Sequence, residues 1–125
     1  MTEGRITTCP PYPKIICFCG SSRFVAQMGI LMWEYEKAGH IALGLHWLPE
    51  EYWKARGLNV VDSHLAEAEG IADKMDELHK RKIDLSDEIF VVNVGGYIGD
   101  STKSEVAYAR AQGKKVVWLE KDKAL

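Results

Sequence analysis

Two patterns of hydrophobic and polar positions alternate along the chain. Short, uninterrupted apolar runs predict buried strands, because a strand covered on both faces has no polar side to show. Between these runs, apolar residues recur every three or four positions, which is typical of helices with one buried face. The predicted strands span 15–19, 40–45, 88–94 and 115–119, and the predicted helices span 24–38, 62–83 and 102–112.

This alternation of strands and helices predicts the fold class. Parallel strands joined by right-handed helical crossovers form a sheet with helices on both sides. We therefore expect a single three-layer α/β domain, flavodoxin-like or Rossmann-like, with a doubly wound, mainly parallel sheet in the strand order 2-1-3-4. This domain spans 14–125 and follows an irregular, proline-rich lead-in at 1–13. The aromatic segment 46–61 lacks periodicity, which favours a lid, an interface or a small packed appendage.

Composition limits the function classes. The chain has 125 residues, of which 46% are hydrophobic and 27% charged, and its net charge is −2. These values suit one folded domain and argue against a binder of nucleic-acid polymers or membrane surfaces, which would normally be more basic. No apolar segment approaches the roughly 20 residues that cross a bilayer, so we expect a cytoplasmic protein.

The cysteines and histidines lack the spacing of a metal site. Cys17 and Cys19 alternate within an apolar run, so both would point to one face of a strand as small buried hydrophobic residues. Three cysteines with this spacing match neither a disulfide framework nor a zinc motif. The histidines are equally scattered, and we expect no bound metal. They are His40, His46, His64 and His79.

Candidate chemistry is concentrated in two loops. In a doubly wound sheet the ligand crevice lies beyond the carboxyl ends of the strands, where the winding direction reverses, here between the first and third strands. The loops that follow these strands, 19–23 and 95–102, are the richest in glycine and hydroxyl groups. Each opens a helix, which suits a phosphate or another anion, and Arg23 adds a charged fork. The alternative for the first loop is an ordinary turn capped by serine, and neither loop has a Walker lysine or a GxGxxG spacing.

Glu105 has two interpretations. Thr102 and Glu105 have the spacing of a capping box, in which the glutamate bonds back to the amide of the cap residue. Alternatively, Glu105 lies one turn into a helix that points at the crevice, where its carboxylate could reach a bound sugar. Asp84 and Asp87 are also candidates, although strand geometry places them at the amino end of the third strand, where turn formation and capping are the alternative.

The aromatic segment offers candidates for stacking on a base. His46 and Trp47 lie directly after the second predicted strand, and Tyr52 and Trp53 follow. Aromatic side chains suit both stacking on a purine or pyrimidine and the burial of an oligomer interface. The sequence leaves these two alternatives open.

Three segments together resemble a known enzyme family. They are ICFCGSSR at 16–23, IDLSDEIFVVN at 83–93 and GDSTKSEVAYA at 99–109. This combination is similar to the nucleoside 2-deoxyribosyltransferase superfamily, which includes deoxynucleoside-monophosphate N-glycosidases. The resemblance implies that Glu105 is a nucleophile that attacks the anomeric carbon of the sugar. The base then leaves, and water or a second base takes up the glycosyl group.

The resemblance also implies binding roles for residues of both loops. Gly20, Ser21 and Arg23 match the loop that lines the sugar and the 5′-phosphate, and Ser101 and Thr102 match the turn before the nucleophile. Asp84 and Asp87 match an acidic region where the family places an aspartate that handles the leaving base. The implied enzyme needs no cofactor, acts on a small nucleoside or nucleotide, and forms a homodimer or larger homo-oligomer. Ser22 and Gly99 complete the substrate-binding candidates.

Departures from the family pattern leave other functions open. Transferases of this family often carry an aspartate six residues before the nucleophile, where this chain has Gly99. The glycine-rich loop also resembles that of the cytokinin-activating phosphoribohydrolases, although Val94 replaces their proline. A third alternative is a nucleotide-binding or sensing domain that has lost turnover.

Overall fold

A four-stranded parallel sheet forms the centre of the protein. The computed structural model describes residues 13–46, 48–57 and 69–125. The strand order β2-β1-β3-β4 confirms the predicted order, and β1 lies between β2 and β3. The strands are β1 (Ile15–Cys19), β2 (Ile41–Leu43), β3 (Glu88–Val91) and β4 (Lys115–Trp118).

Helices cover both faces of the sheet and complete the predicted three-layer α/β architecture. The helices in the described residues are α1 (Val25–Lys37), α2 (Glu50–Ala55), α3 (Ala72–Leu85) and α4 (Asp100–Ala111). Successive strand residues point to opposite faces, so each face has its own hydrophobic core. Ile16 and Phe18 pack with α1, whereas Cys17 and Cys19 lie in the core that α3 and α4 cover. No helix in the described ranges is long and apolar enough to cross a membrane.

The helix predicted over 62–83 is not continuous through Gly70. Gly70 adopts a left-handed conformation with φ of +71° in a turn, and α3 begins at Ala72. Glycine has no Cβ and tolerates this backbone, so the helical spacing of apolar residues does not continue through it. Residues 58–68, which include the predicted caps Asp62 and Ser63, lie outside the described residues.

The aromatic segment contains a short helix, α2. Trp53 is buried within the chain, and its indole nitrogen donates a hydrogen bond to the carbonyl of Leu48 at 3.1 Å. Tyr52 donates a hydrogen bond to the Glu69 carboxylate, and the guanidinium of Arg56 lies 3.6 Å from the Tyr52 ring centre. Of the predicted alternatives, these contacts fit a small packed appendage.

Helix α4 begins earlier than predicted, which removes the capping-box interpretation. Gly99 is the N-cap residue, with φ of −85° and ψ of −179°, and Lys103 N donates to Gly99 O at 3.0 Å. Thr102 is therefore inside the helix and buried, with 2% of its surface exposed. Because a capping box requires Thr102 at the cap position, Glu105 has no such role.

Candidate functional site: a buried carboxylate beside the sheet crevice

Glu105 lies between α3 and the end of β1. It projects from the second turn of α4, and only 7% of its surface is exposed. Its Oε1 lies 3.8 Å from Nε2 of His79, which belongs to the buried face of α3. Its carboxylate also interacts with the side chain of Cys19, the last residue of β1. The helix start thus delivers a carboxylate to the carboxyl end of a strand that borders the predicted crevice.

Two cysteines join this pair in what we name the buried polar cluster: Cys17, Cys19, His79 and Glu105. The cysteines are two residues apart on β1, so both point to the face covered by α3 and α4. Each sulfur lies 3.4 Å from Nε2 of His79. The prediction that both cysteines are buried on one face is confirmed. The contact that both sulfurs make with a histidine about 60 residues later in the chain was not predicted from the sequence.

The cluster shifts the protonation of its members in opposite directions. Burial raises the pKa of Glu105 to about 7, although the nearby His79 opposes this rise. The hydrogen bond with Cys19 lowers the pKa of Cys17 to about 5, and the same bond together with burial raises the pKa of Cys19. Burial lowers the pKa of His79, but the hydrogen bond with Cys17 and the charge of Glu105 outweigh it and give a net rise. The protonation of each group therefore depends on its burial and on its neighbours in the cluster.

The loop after β1 lies where the fold predicts one wall of a ligand crevice. Ser21 Oγ accepts a hydrogen bond from Arg23 N at 3.2 Å, so Ser21 caps the 3-10 turn Ser22–Phe24, as in the turn alternative. Gly20 packs closely against β3, since a Cβ there would lie 3.0 Å from Val92 O. The exposed Arg23 side chain reaches across to the second loop. Its guanidinium carbon lies 4.0 Å from the Tyr97 ring centre, and Nη2 donates to the Tyr97 hydroxyl at 3.3 Å.

The glycine-rich loop after β3 is held by the segment that follows β4. The buried Asn93 accepts from Glu120 N at 2.9 Å and donates to Glu120 O at 3.1 Å. Gly95, with φ of +65°, donates its amide to Glu120 Oε2 at 2.6 Å. The Gly95 amide therefore already has an acceptor, the carboxylate of Glu120, and is not open to a ligand.

The start of α4 carries the remaining predicted binding residues. Gly99 caps the helix beside Tyr97, and the exposed Ser101 donates to Asp76 Oδ2 at 3.4 Å. The first amides of a helix have no partner within the helix, so those of α4 can donate to an anion bound at this end of the helix. Thr102 is buried and helps to pack the helix rather than lining an open surface.

Asp84 and Asp87 are not brought to Glu105. Asp84 accepts from the Tyr108 hydroxyl at 2.5 Å and pairs with Arg81 at 3.1 Å near the end of α3. Asp87 accepts from Ile15 N at 2.8 Å, at the first residue of β1. Cys19 ends the same strand, roughly 13 Å away at about 3.3 Å per residue. Both aspartates therefore bind at the amino edge of the sheet, as strand geometry predicted, and hold structure there.

The stacking candidates are only partly described. His46 is exposed and follows β2 by three residues. Trp47 lies outside the described residues. The structure instead brings an aromatic ring to the crevice from the glycine-rich loop, because Tyr97 lies under Arg23.

Sequence reasoning missed His79, Tyr97 and Asp76. His79 lies on the buried face of α3, one turn before Ile83. A polar residue at an apolar position of the helix is the sequence feature that could have identified it. Tyr97 lies in the glycine-rich loop, for which the prediction rests on glycine and hydroxyl residues and not on aromatic ones. No sequence pattern indicates Asp76, because its hydrogen bond with Ser101 joins two different helices.

Comparisons with known proteins add no identification. No family model, curated protein or solved structure matches the chain. The geometry of the crevice and of the buried polar cluster is therefore the basis for assigning a function.

Proposed function

We propose that this protein cleaves the N-glycosidic bond of a nucleoside or a nucleoside 5′-monophosphate, with Glu105 as the nucleophile. The observation that carries the proposal is the position of Glu105. It is a buried carboxylate without a capping role, set beside His79 at the carboxyl end of β1. Burying a carboxylate is costly, and buried ionisable groups with a shifted pKa concentrate at functional sites.

The proposed reaction is a double displacement. A Glu105 carboxylate oxygen attacks the anomeric carbon of the sugar, and the bond to the base nitrogen breaks with its electron pair leaving on the base, which takes up a proton. Water then hydrolyses the glycosyl ester, returning the carboxylate and releasing the free sugar. His79, 3.8 Å from Oε1, orients the carboxylate and balances its charge. It acts as a positioning residue.

Arg23 is the proposed phosphate ligand of a 5′-monophosphate substrate. Its guanidinium is exposed at the crevice and is oriented by Tyr97. Because hydrogen bonds to charged groups contribute about 1.5–3 kcal/mol, we expect Arg23→Ala to raise KM for a nucleoside monophosphate by about 10- to 100-fold. KM for the matching nucleoside should stay within about twofold, since that substrate has no phosphate. Steady-state kinetics on the two substrates measure the difference.

Arg23→Lys is the matched control, because it keeps the charge but loses the planar fork. It should recover part of the lost affinity for the monophosphate. Equal losses of Arg23→Ala on the nucleoside and on the monophosphate would show that Arg23 holds the loop and does not contact phosphate.

A substrate panel tests the proposal itself. Purified protein is incubated with ribo- and deoxyribonucleosides and their 5′-monophosphates, and chromatography detects the released base. Release from deoxyribonucleotides would indicate the nucleotide-hydrolase branch of the resembled superfamily, and release from ribonucleotides would favour the phosphoribohydrolase type. No release from any member, with nucleotide binding present, would overturn the proposal in favour of a binding domain without turnover.

A further inference from the structure

The buried polar cluster contains more metal-binding groups than one histidine can satisfy by hydrogen bonds. Nε2 of His79 lies 3.4 Å from Cys17 Sγ, 3.4 Å from Cys19 Sγ and 3.8 Å from Glu105 Oε1. A ring nitrogen carries at most one hydrogen, so it can donate to only one of these three atoms. A cation at the centre of the four atoms would contact all of them.

We propose that Cys17, Cys19 and His79 bind a thiophilic divalent cation of the Zn²⁺ type, with Glu105 as the fourth ligand. Two sulfur ligands, one imidazole nitrogen and one carboxylate form a donor set that suits zinc and excludes magnesium and calcium, which prefer oxygen alone. The site shares Glu105 with the proposed glycosidic activity, and a carboxylate that binds the metal is not free to attack a sugar. We therefore expect the metal-bound protein to be inactive and the proposed reaction to belong to the metal-free protein.

The spacing of the donor atoms fits a tetrahedral ion. The sulfur atoms of Cys17 and Cys19 and a ring nitrogen of His79 lie within 4.8 Å of one another. With Zn–S bonds of about 2.3 Å and Zn–N bonds of about 2.0–2.1 Å, neighbouring sulfur and nitrogen ligands lie about 3.5 Å apart. The observed sulfur–nitrogen distances of 3.4 Å need almost no adjustment. Glu105 closes the tetrahedron by moving its oxygen a few tenths of an ångström towards the ion.

The surroundings hold these ligands in place. Both cysteines belong to β1, which pairs with β2 on one side and β3 on the other, so their separation is fixed by the backbone. All three primary ligands are buried, which removes competing water. Two thiolates and one carboxylate carry three negative charges, and Zn²⁺ supplies two positive charges.

Cobalt absorption tests the site without any enzymatic assay. The reduced full-length protein, freed of metal, is titrated with Co²⁺ under anaerobic conditions. We expect one equivalent to produce thiolate-to-cobalt charge-transfer absorption and the intense visible bands of tetrahedral cobalt, and one equivalent of Zn²⁺ to remove them. Zn²⁺ should also raise the Tm of the wild type, because a ligand that binds only the folded state stabilises it.

Ligand substitutions test the site, with an exposed histidine as the matched control. Cys17→Ala and Cys19→Ala should each weaken Co²⁺ binding by at least about 100-fold, whereas His46→Gln, at an exposed position after β2, should bind as the wild type does. Circular dichroism verifies that the alanine variants fold, and His79→Gln provides an independent loss of a ligand. The proposal is overturned if the wild type gives no thiolate–cobalt absorption, or if Cys17→Ala and Cys19→Ala keep it unchanged. A protein that binds Co²⁺ on titration but releases no base in its metal-free form would contradict only the proposed function.

Discussion

Replacing Glu105 by glutamine is expected to lower the rate of base release by at least about 10³-fold while leaving nucleotide affinity within about threefold of wild type. The amide keeps the size of the carboxylate beside His79 but cannot form the glycosyl ester. Loss in kcat without loss in binding is the signature of a group that acts on the reacting atoms. Single-turnover chromatography gives the rate, and calorimetry gives the Kd.

Glu77→Gln is the matched control for this substitution. Glu77 lies on α3, exposed to solvent, and pairs only with the neighbouring Arg81, at 3.4 Å, among the ion pairs of the described residues. Loss of the Glu77 charge should leave the rate of base release within about twofold of the wild-type rate, because surface ion pairs contribute little to stability. A Glu105→Gln variant that turns over like this control would remove Glu105 from the reaction.

Phe90→Ala is expected to lower the free energy of unfolding by about 3–5 kcal/mol. Phe90 is fully buried in β3, with its ring centre 5.3 Å from that of Phe18 and 5.7 Å from that of Tyr35. Truncation leaves a cavity between the sheet and α1 that the parallel strands cannot close. Since domains of this size are stable by only about 5–15 kcal/mol, the change removes a large part of the total. Urea denaturation followed by circular dichroism measures it.

Leu85→Ala provides the comparison for Phe90→Ala. Leu85 is also a large apolar residue, but 69% of its surface is exposed at the end of α3. Its truncation should change the free energy of unfolding by no more than about 0.5 kcal/mol. Equal losses in the two variants would mean that the core does not lie between α1 and the sheet.

The sequence predicted the fold well because the patterns that specify it are local. The apolar run Ile15–Cys19 coincides with β1, and alternate residues of this strand enter the two predicted layers. The observed strand order is the one expected of a flavodoxin-like doubly wound sheet. The errors lie at glycines. Gly70 interrupts a helical pattern that reads as continuous, and the extended Gly99 allows α4 to begin before the hydroxyl residues that appeared to cap it.

The candidate site was predictable only in part, because its contacts join distant segments. Glu105 could be selected from its place near a helix start, but His79 could not be paired with it, since α3 and α4 meet only in the folded chain. The same holds for Cys17 and Cys19, whose linear spacing indicates no ligand set. The glycine-rich loop differs from its prediction for the same reason. Its amides are predicted to donate to a bound anion, but in the folded chain the Gly95 amide donates to the carboxylate of Glu120.

A covalent glycosyl ester on Glu105 is the most direct test of the central claim. The substrate found in the panel is prepared as its 2-fluoro sugar analogue, which slows hydrolysis of the ester by destabilising positive charge at the anomeric carbon. Mass spectrometry of the digested protein then locates any added glycosyl group. We expect the peptide that contains Glu105 to gain this mass in the wild type and not in Glu105→Gln. Release of the base from the analogue with no added mass, or with the mass on another residue, would contradict the assignment of Glu105 as the nucleophile.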